Sequence, residues 1–62
     1  MRKVLKEKRK ERGLTQAETA EKFGITRAFY GHIERDTRNP TLYLAAEMAE
    51  FFNDNIENLF VN

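Results

Sequence analysis

Apolar positions along the chain recur at helical spacing between short polar stretches, and no segment alternates at the two-residue period of a strand. Ala17, Ala20 and Phe23 fall at i, i+3 and i+6, and Gly24 follows as a residue suited to the left-handed turn that ends a helix. In front of that stripe stand Thr15 and Glu18, a Thr-x-x-Glu capping box. The hydroxyl satisfies an orphan N–H of the first turn, and the carboxylate reaches back to the cap. The spacing therefore predicts a helix starting at about Gln16. Ile25 anchors a tight turn, and Thr26 caps a second helix running through about Glu34 with Tyr30 and Ile33 inward.

The flanking pattern is also helical. A first helix is expected over about residues 2–12, with Val4, Leu5 and Met1 inward and Gly13 ending it. Pro40 cannot sit inside a helix and biases Asn39 towards extended backbone, so residues 35–40 read as a loop. Thr41 caps a helix whose broad apolar stripe comprises Leu42, Ala45, Ala49 and Phe52, with Leu44 and Met48 beside them. Asn53 to Asn55 make a polar break, and Asn55 caps a short fifth helix holding Ile56, Leu59 and Phe60. The expected fold class is all-α with five helices.

Composition narrows the function. Sixty-two residues allow one domain, 1–62, and a chain this short buries only about 60% of the surface its unfolded form exposes. With no cysteine, neither a disulfide nor a thiolate metal site can staple it. The longest apolar run, Leu42 to Ala46, is far too short for a membrane span, and the first dozen residues are too charged for a secretory signal, so cytoplasmic residence is expected.

A net charge of +1 conceals a strong polarity: residues 1–12 carry seven Lys or Arg against two Glu, and residues 41–62 carry four acids and no base. Such a charge dipole suits a protein that presents one end to a polyanion. Arg2, Lys3, Lys6, Lys10 and Arg12 read first as the solvated face of the first helix.

Two short helices joined by a three- or four-residue turn have the size of the helix-turn-helix motif, whose second helix enters the DNA major groove. The order and spacing of Arg9, Leu14-Thr15-Gln16, Ala20, Gly24-Ile25-Thr26-Arg27, Ile33-Glu34, Arg38-Asn39-Pro40 and Leu59-Phe60 resemble the Cro/C1-type (XRE) helix-turn-helix family. The resemblance covers nearly the whole chain and is most specific over 14–40. It implies a compact five-helix, lambda-repressor-like domain that binds an inverted-repeat operator on double-stranded DNA as a symmetric homodimer. The resulting expectation is a sequence-specific transcriptional regulator, a repressor that occludes a promoter.

Carried over position by position, the resemblance puts Gln16 on a phosphate, braced against the recognition helix, where free N–H groups at a helix start favour an anion. Thr26, Arg27 and Ala28 fall at the start of the recognition helix. Arg27 there can donate bidentately to guanine O6 and N7, with a phosphate contact as the rival role. His32 lies one turn beyond Ala28 on the same face. Phe29 can press on a thymine methyl or pack on Tyr43 or the loop. Arg35, Thr37, Arg38 and Asn39 form a basic loop that implies contact with the DNA backbone.

Three departures from the family pattern stand out. Asp36 occupies a usual glycine position, which aspartate tolerates at small cost. Lys8 and Thr19 replace common leucines; Lys8 can lay its stem over apolar neighbours, and Thr19 can bond back into its own helix. Arg9 and Glu34 match a partly buried salt bridge of the family and are structural.

The chain lacks the parts of an enzyme: no cysteine nucleophile, a single histidine, no glycine-rich phosphate loop. No cofactor or metal is expected. A second function class is a small antitoxin or a phage regulator controlled by an antagonist protein. It is motivated by Phe51, Phe52, Phe60 and Val61, which exceed the apolar surface that one short helix pair easily buries. A homodimer through the C-terminal helices explains the same residues.

Overall fold

In the computed structural model, which describes residues 1–61, five helices follow in order: α1 (Lys3–Glu11), α2 (Gln16–Lys22), α3 (Arg27–Glu34), α4 (Leu42–Phe51) and α5 (Ile56–Phe60). No strand occurs among the described residues. The helix starts follow from local side chains. Thr15, Thr26, Thr41 and Asn55 are extended N-caps, and each accepts the N–H three residues on, from Glu18, Phe29, Leu44 and Asn58. Thr15 and Glu18 complete the expected capping box, Thr15 N donating to Glu18 Oε1 at 2.9 Å.

The first four helices all end in the same motif. The residue after each C-cap has positive φ: Gly13 (69°), Gly24 (68°), Asp36 (65°) and Asn53 (55°). At each end its N–H, and that of the following residue, close onto carbonyls of the last turn, as in Gly24 N to Glu21 O (3.2 Å) and Ile25 N to Ala20 O (3.0 Å). Asp36 takes the left-handed conformation expected of it. The same conformation at Asn53 turns the anticipated polar break into a defined corner.

The core is formed by Leu5 of α1, Ala20 of α2, Tyr30 and Ile33 of α3, Leu44, Met48, Ala49 and Phe52 from the α4 segment, and Leu59 of α5. Phe23, Phe51 and Phe52 pack edge-on or tilted around it, with ring centroids 5.0–6.3 Å apart.

Several inward assignments made from the sequence are corrected. Ala17 is exposed, and Thr19 takes the buried place because its hydroxyl donates to the Thr15 carbonyl at 2.9 Å and so carries no unpaired proton inward. Leu42 is 76% exposed; two residues from Leu44, it points to the opposite side of α4. Met1 is 69% exposed, since Arg2 occupies the inward position ahead of Leu5.

Arg2 is likewise not part of a solvated face, whereas Arg12 is exposed as expected. Arg2 is buried, and Arg12 Nη2 donates to the Phe51 carbonyl at 2.7 Å while its guanidinium lies over the Phe51 ring. Lys8 is half-buried as anticipated, with its ammonium 3.6 Å from Asp54. The surplus of aromatic surface near the C-terminus also shrinks: Phe52 is buried, Phe51 and Phe60 are half-buried, and Val61 alone of that group is exposed.

Candidate nucleic-acid interface

The fold brings the sequence candidates to one side of α3. Arg27, Ala28, Gly31, His32 and Arg35 fall at i, i+1, i+4, i+5 and i+8, and together with Gln16 from the start of α2 they line one shallow groove. Gly31 lies at its floor: a Cβ there would stand 3.4 Å from Arg35 Nη1 and 3.6 Å from Gln16 Oε1. Thr26 is exposed at the N-cap, its hydroxyl oxygen accepting Phe29 N at 3.1 Å. Phe29 is half-buried against the core cluster, and among the described residues it forms no ring pair with Tyr43, which is 80% exposed.

Gln16 is held in place by Glu34. Its Nε2 donates to Glu34 Oε1 at 3.1 Å, and the same carboxylate takes Arg9 Nε at 2.6 Å and Arg9 Nη2 at 3.3 Å. Arg9 Nη1 continues to the Leu14 carbonyl at 2.7 Å, so the pair also fixes the entry to α2. Burial opposes the charge on Glu34. The bonds from Arg9, with Gln16 behind them, outweigh that cost and hold the carboxyl below its ordinary range. The Tyr30 hydroxyl makes no bond of good geometry among the described residues. Its burial beside the carboxylate pushes it far up, so it stays protonated.

His32 organises the near half of the following loop. Its carbonyl accepts Thr37 N at 3.0 Å and Thr37 Oγ1 at 3.1 Å, and its Nδ1 lies 2.9 Å from the same hydroxyl. Thr37 has one hydroxyl proton to share between the carbonyl and Nδ1, and Arg35 Nη2, which can only donate, lies 3.4 Å from the same Nδ1. Arg35, Thr37, Arg38 and Asn39 are all exposed.

Charge pairing leaves this face basic. Between residues 26 and 39 the cations Arg27, Arg35 and Arg38 are exposed, whereas Glu34 is buried under Arg9 and Asp36 lies 3.1 Å from Arg2. Exposed acids lie outside that segment: Glu7 and Glu11 on α1, Glu18 and Glu21 on α2, Glu47 and Glu50 on α4, and Glu57 on α5. The arrangement puts the Arg27 and Arg35 guanidinium groups on a groove also lined by Ala28 and Gly31, with exposed Arg38 on the loop that follows, which suits a polyanion whose edges can enter the groove.

Two structural roles differ from the sequence reading: Arg2, expected on the solvated face, is buried, and Gly31 lines the groove. Arg2, Leu5 and Arg9 share the i, i+3, i+7 stripe of α1, and an arginine on either side of an inward leucine is the signal that could have found the first. No group of histidine, cysteine or carboxylate side chains able to hold a metal occurs among the described residues, and none of their helices is long and apolar enough to cross a membrane.

Comparison with known proteins places these features in a wider set. A helix-turn-helix family model matches residues 5–54. An uncharacterized HTH-type transcriptional regulator of Archaeoglobus fulgidus is 41% identical over 61 residues, which is 98% of this chain and 87% of that protein. Another, of Methanothermobacter thermautotrophicus, is 40% identical over 98% of this chain and 90% of its own length. The HTH-type transcriptional regulator YqaF of Bacillus subtilis, also uncharacterized, is 44% identical over 50 residues, 81% of this chain and 66% of YqaF. No solved structure matches the chain to the same standard.

Proposed function

The chain belongs to the Cro/C1-type helix-turn-helix family of DNA-binding transcription regulators, and from that premise we propose that it is a sequence-specific repressor that binds an inverted-repeat operator as a homodimer. The observation that carries this reading is the basic groove, in which Gln16, Arg27, Ala28, His32 and Arg35 converge while the nearby acids are neutralised from behind by Arg9 and Arg2.

On this reading α3 lies in the major groove. Arg27 at its first turn donates to a guanine edge, Ala28 and Gly31 leave room beside a thymine methyl, and the exposed part of half-buried Phe29 presses on it. Gln16 spends one amide proton on Glu34 and keeps the other, with the free N–H groups at the α2 start, for a phosphate. Thr26 and His32 flank the bases, and Arg35, Thr37, Arg38 and Asn39 set register on the backbone. Few side chains reach base edges, so the stiffness and groove width of the operator contribute to selection. The acids of α4 and α5 turn that side away from the duplex and leave it for a two-fold contact that includes exposed Val61.

Selection of bound duplexes from a random library at near-physiological salt tests the reading. The expected result is an enriched inverted repeat with half-sites about one helical turn apart. Binding without any motif, lost as salt rises, would leave only backbone electrostatics and would move the role to a regulator that acts through a protein partner.

A further inference from the structure

Arg2 precedes α1, yet it is only 6% exposed. Its guanidinium crosses to the segment that follows α3. Nη1 donates to the carbonyls of Ile33 at 2.8 Å and Arg38 at 2.9 Å, while Nη2 donates to Asn39 Oδ1 and lies 3.1 Å from Asp36 Oδ1. Its backbone N–H donates to the Glu34 carbonyl at 2.8 Å. The Phe60 ring of α5 backs the fork, its centroid 5.3 Å from the guanidinium carbon.

The loop after α3 is therefore held from two sides. His32 bonds the near half through Thr37, and Arg2 bonds the far half through the Arg38 carbonyl and the Asn39 side chain. Loops lose their order first where few bonds hold them, and here the far half has the Arg2 side chain and one long backbone bond, Arg38 N to the His32 carbonyl at 3.4 Å. A planar guanidinium can bond several acceptors in fixed directions. A lysine ammonium is a point charge on a flexible stem and cannot hold the same set at once.

We propose that Arg2 is a positioning residue for DNA binding: too buried to meet a phosphate itself, it fixes Arg38 and Asn39 where they meet the backbone of the duplex that α3 reads. The proposal rests on the DNA-binding reading above. It assigns the first arginine of the chain to affinity and salt dependence, not to base recognition, since Arg27 and the groove lie beyond its reach.

The test measures affinity for the selected duplex over about a fourfold range of salt, with circular dichroism to establish folding below each variant's unfolding midpoint. Arg2→Lys is expected to bind about tenfold more weakly, with the slope of log affinity against log salt shallower by about one as a phosphate contact is lost. In a background carrying Arg38→Ala and Asn39→Ala the same substitution changes affinity by less than about twofold, because the loop has no side chain left to place. A residue that only stabilises the fold would leave the slope unchanged in any folded variant.

A folded Arg2→Lys with the parent's affinity and slope overturns the proposal, as does an undiminished effect in the double-alanine background. A second measurement needs no substitution. In the parent, the Arg2 guanidinium protons should give protected NMR signals that persist when duplex is added, while those of Arg38 shift. Arg2 protons that exchange as freely as those of exposed Arg27 overturn it. A parent that binds no duplex removes the DNA-binding reading and this proposal together, whereas a parent that binds equally well as Arg2→Lys removes this proposal alone.

Discussion

Gln16 Nε2 donates to Glu34 Oε1 at 3.1 Å, which joins the first residue of α2 to the last residue of α3. The same carboxylate takes Arg9 from α1, so three helices meet at one buried charge. The turn through Gly24 fixes the opposite ends of α2 and α3. Held at both ends, α3 cannot roll about its axis, and Arg27, Ala28 and His32 keep their register with Gln16 along the groove.

Breaking that pair strands a buried charge. Arg9→Ala or Glu34→Ala is expected to cost about 3–5 kcal/mol, which is enough to unfold a domain of this size at moderate temperature. Replacing both partners with apolar residues of similar volume should cost less than either single change. Denaturant titration of the three variants checks the order.

The pair also sets an acid limit. Glu34 has a folded-state pKa below its ordinary value, so the unfolded chain binds more protons than the folded one as pH falls. The stabilisation is fully present above the ordinary glutamate value of about 4.3 and is lost as pH drops through the folded value. Half-buried Asp54 is held down by the Asn55 N–H and by Asn58, which gives the same sign. The melting temperature should be level near neutral pH and fall on acidification below about pH 4.5, with Glu34→Gln flattening part of that fall.

Much of this was legible in the sequence because it is local. Thr15, Thr26, Thr41 and Asn55 cap within three residues, and Gly13, Gly24 and Asp36 turn the chain where they stand. Apolar character alone misled in α2 and α4. Thr19 can enter the core once its hydroxyl bonds back to Thr15, which leaves Ala17 outside, and Leu44 takes the inward side of α4, which leaves Leu42 outside. Arg2 was hidden for a different reason. The direction of a long side chain is decided by acceptors 31 to 37 residues away, and no local pattern announces them.

The groove separates base reading from backbone contact. Arg27→Ala should lose about 1–3 kcal/mol of binding and relax discrimination at one base pair, whereas Arg38→Ala should weaken all duplexes about equally and make the salt slope shallower by about one. Titrating labelled duplexes that carry single base-pair changes tells the two apart.

Gly31 offers a variant in which stability and binding move in opposite directions. Its added Cβ would meet only the ends of the Arg35 and Gln16 side chains, so Gly31→Ala should stabilise the fold by about 0.5–1 kcal/mol by favouring the helix. The methyl also occupies the groove floor, and duplex affinity should fall. Paired thermal melts and binding curves check both directions.

The most direct measurement is backbone amide NMR during titration with the selected duplex, since every residue of this 62-residue chain but Met1 and Pro40 carries a backbone amide N–H to report. The account predicts shifts concentrated at Gln16, Thr26, Arg27, Ala28, Phe29, His32 and Arg35 to Asn39, with Glu47, Glu50 and Glu57, on the side away from the duplex, unshifted by DNA contact. Shifts centred on α4 and α5, with the α3 groove unaffected, would contradict it.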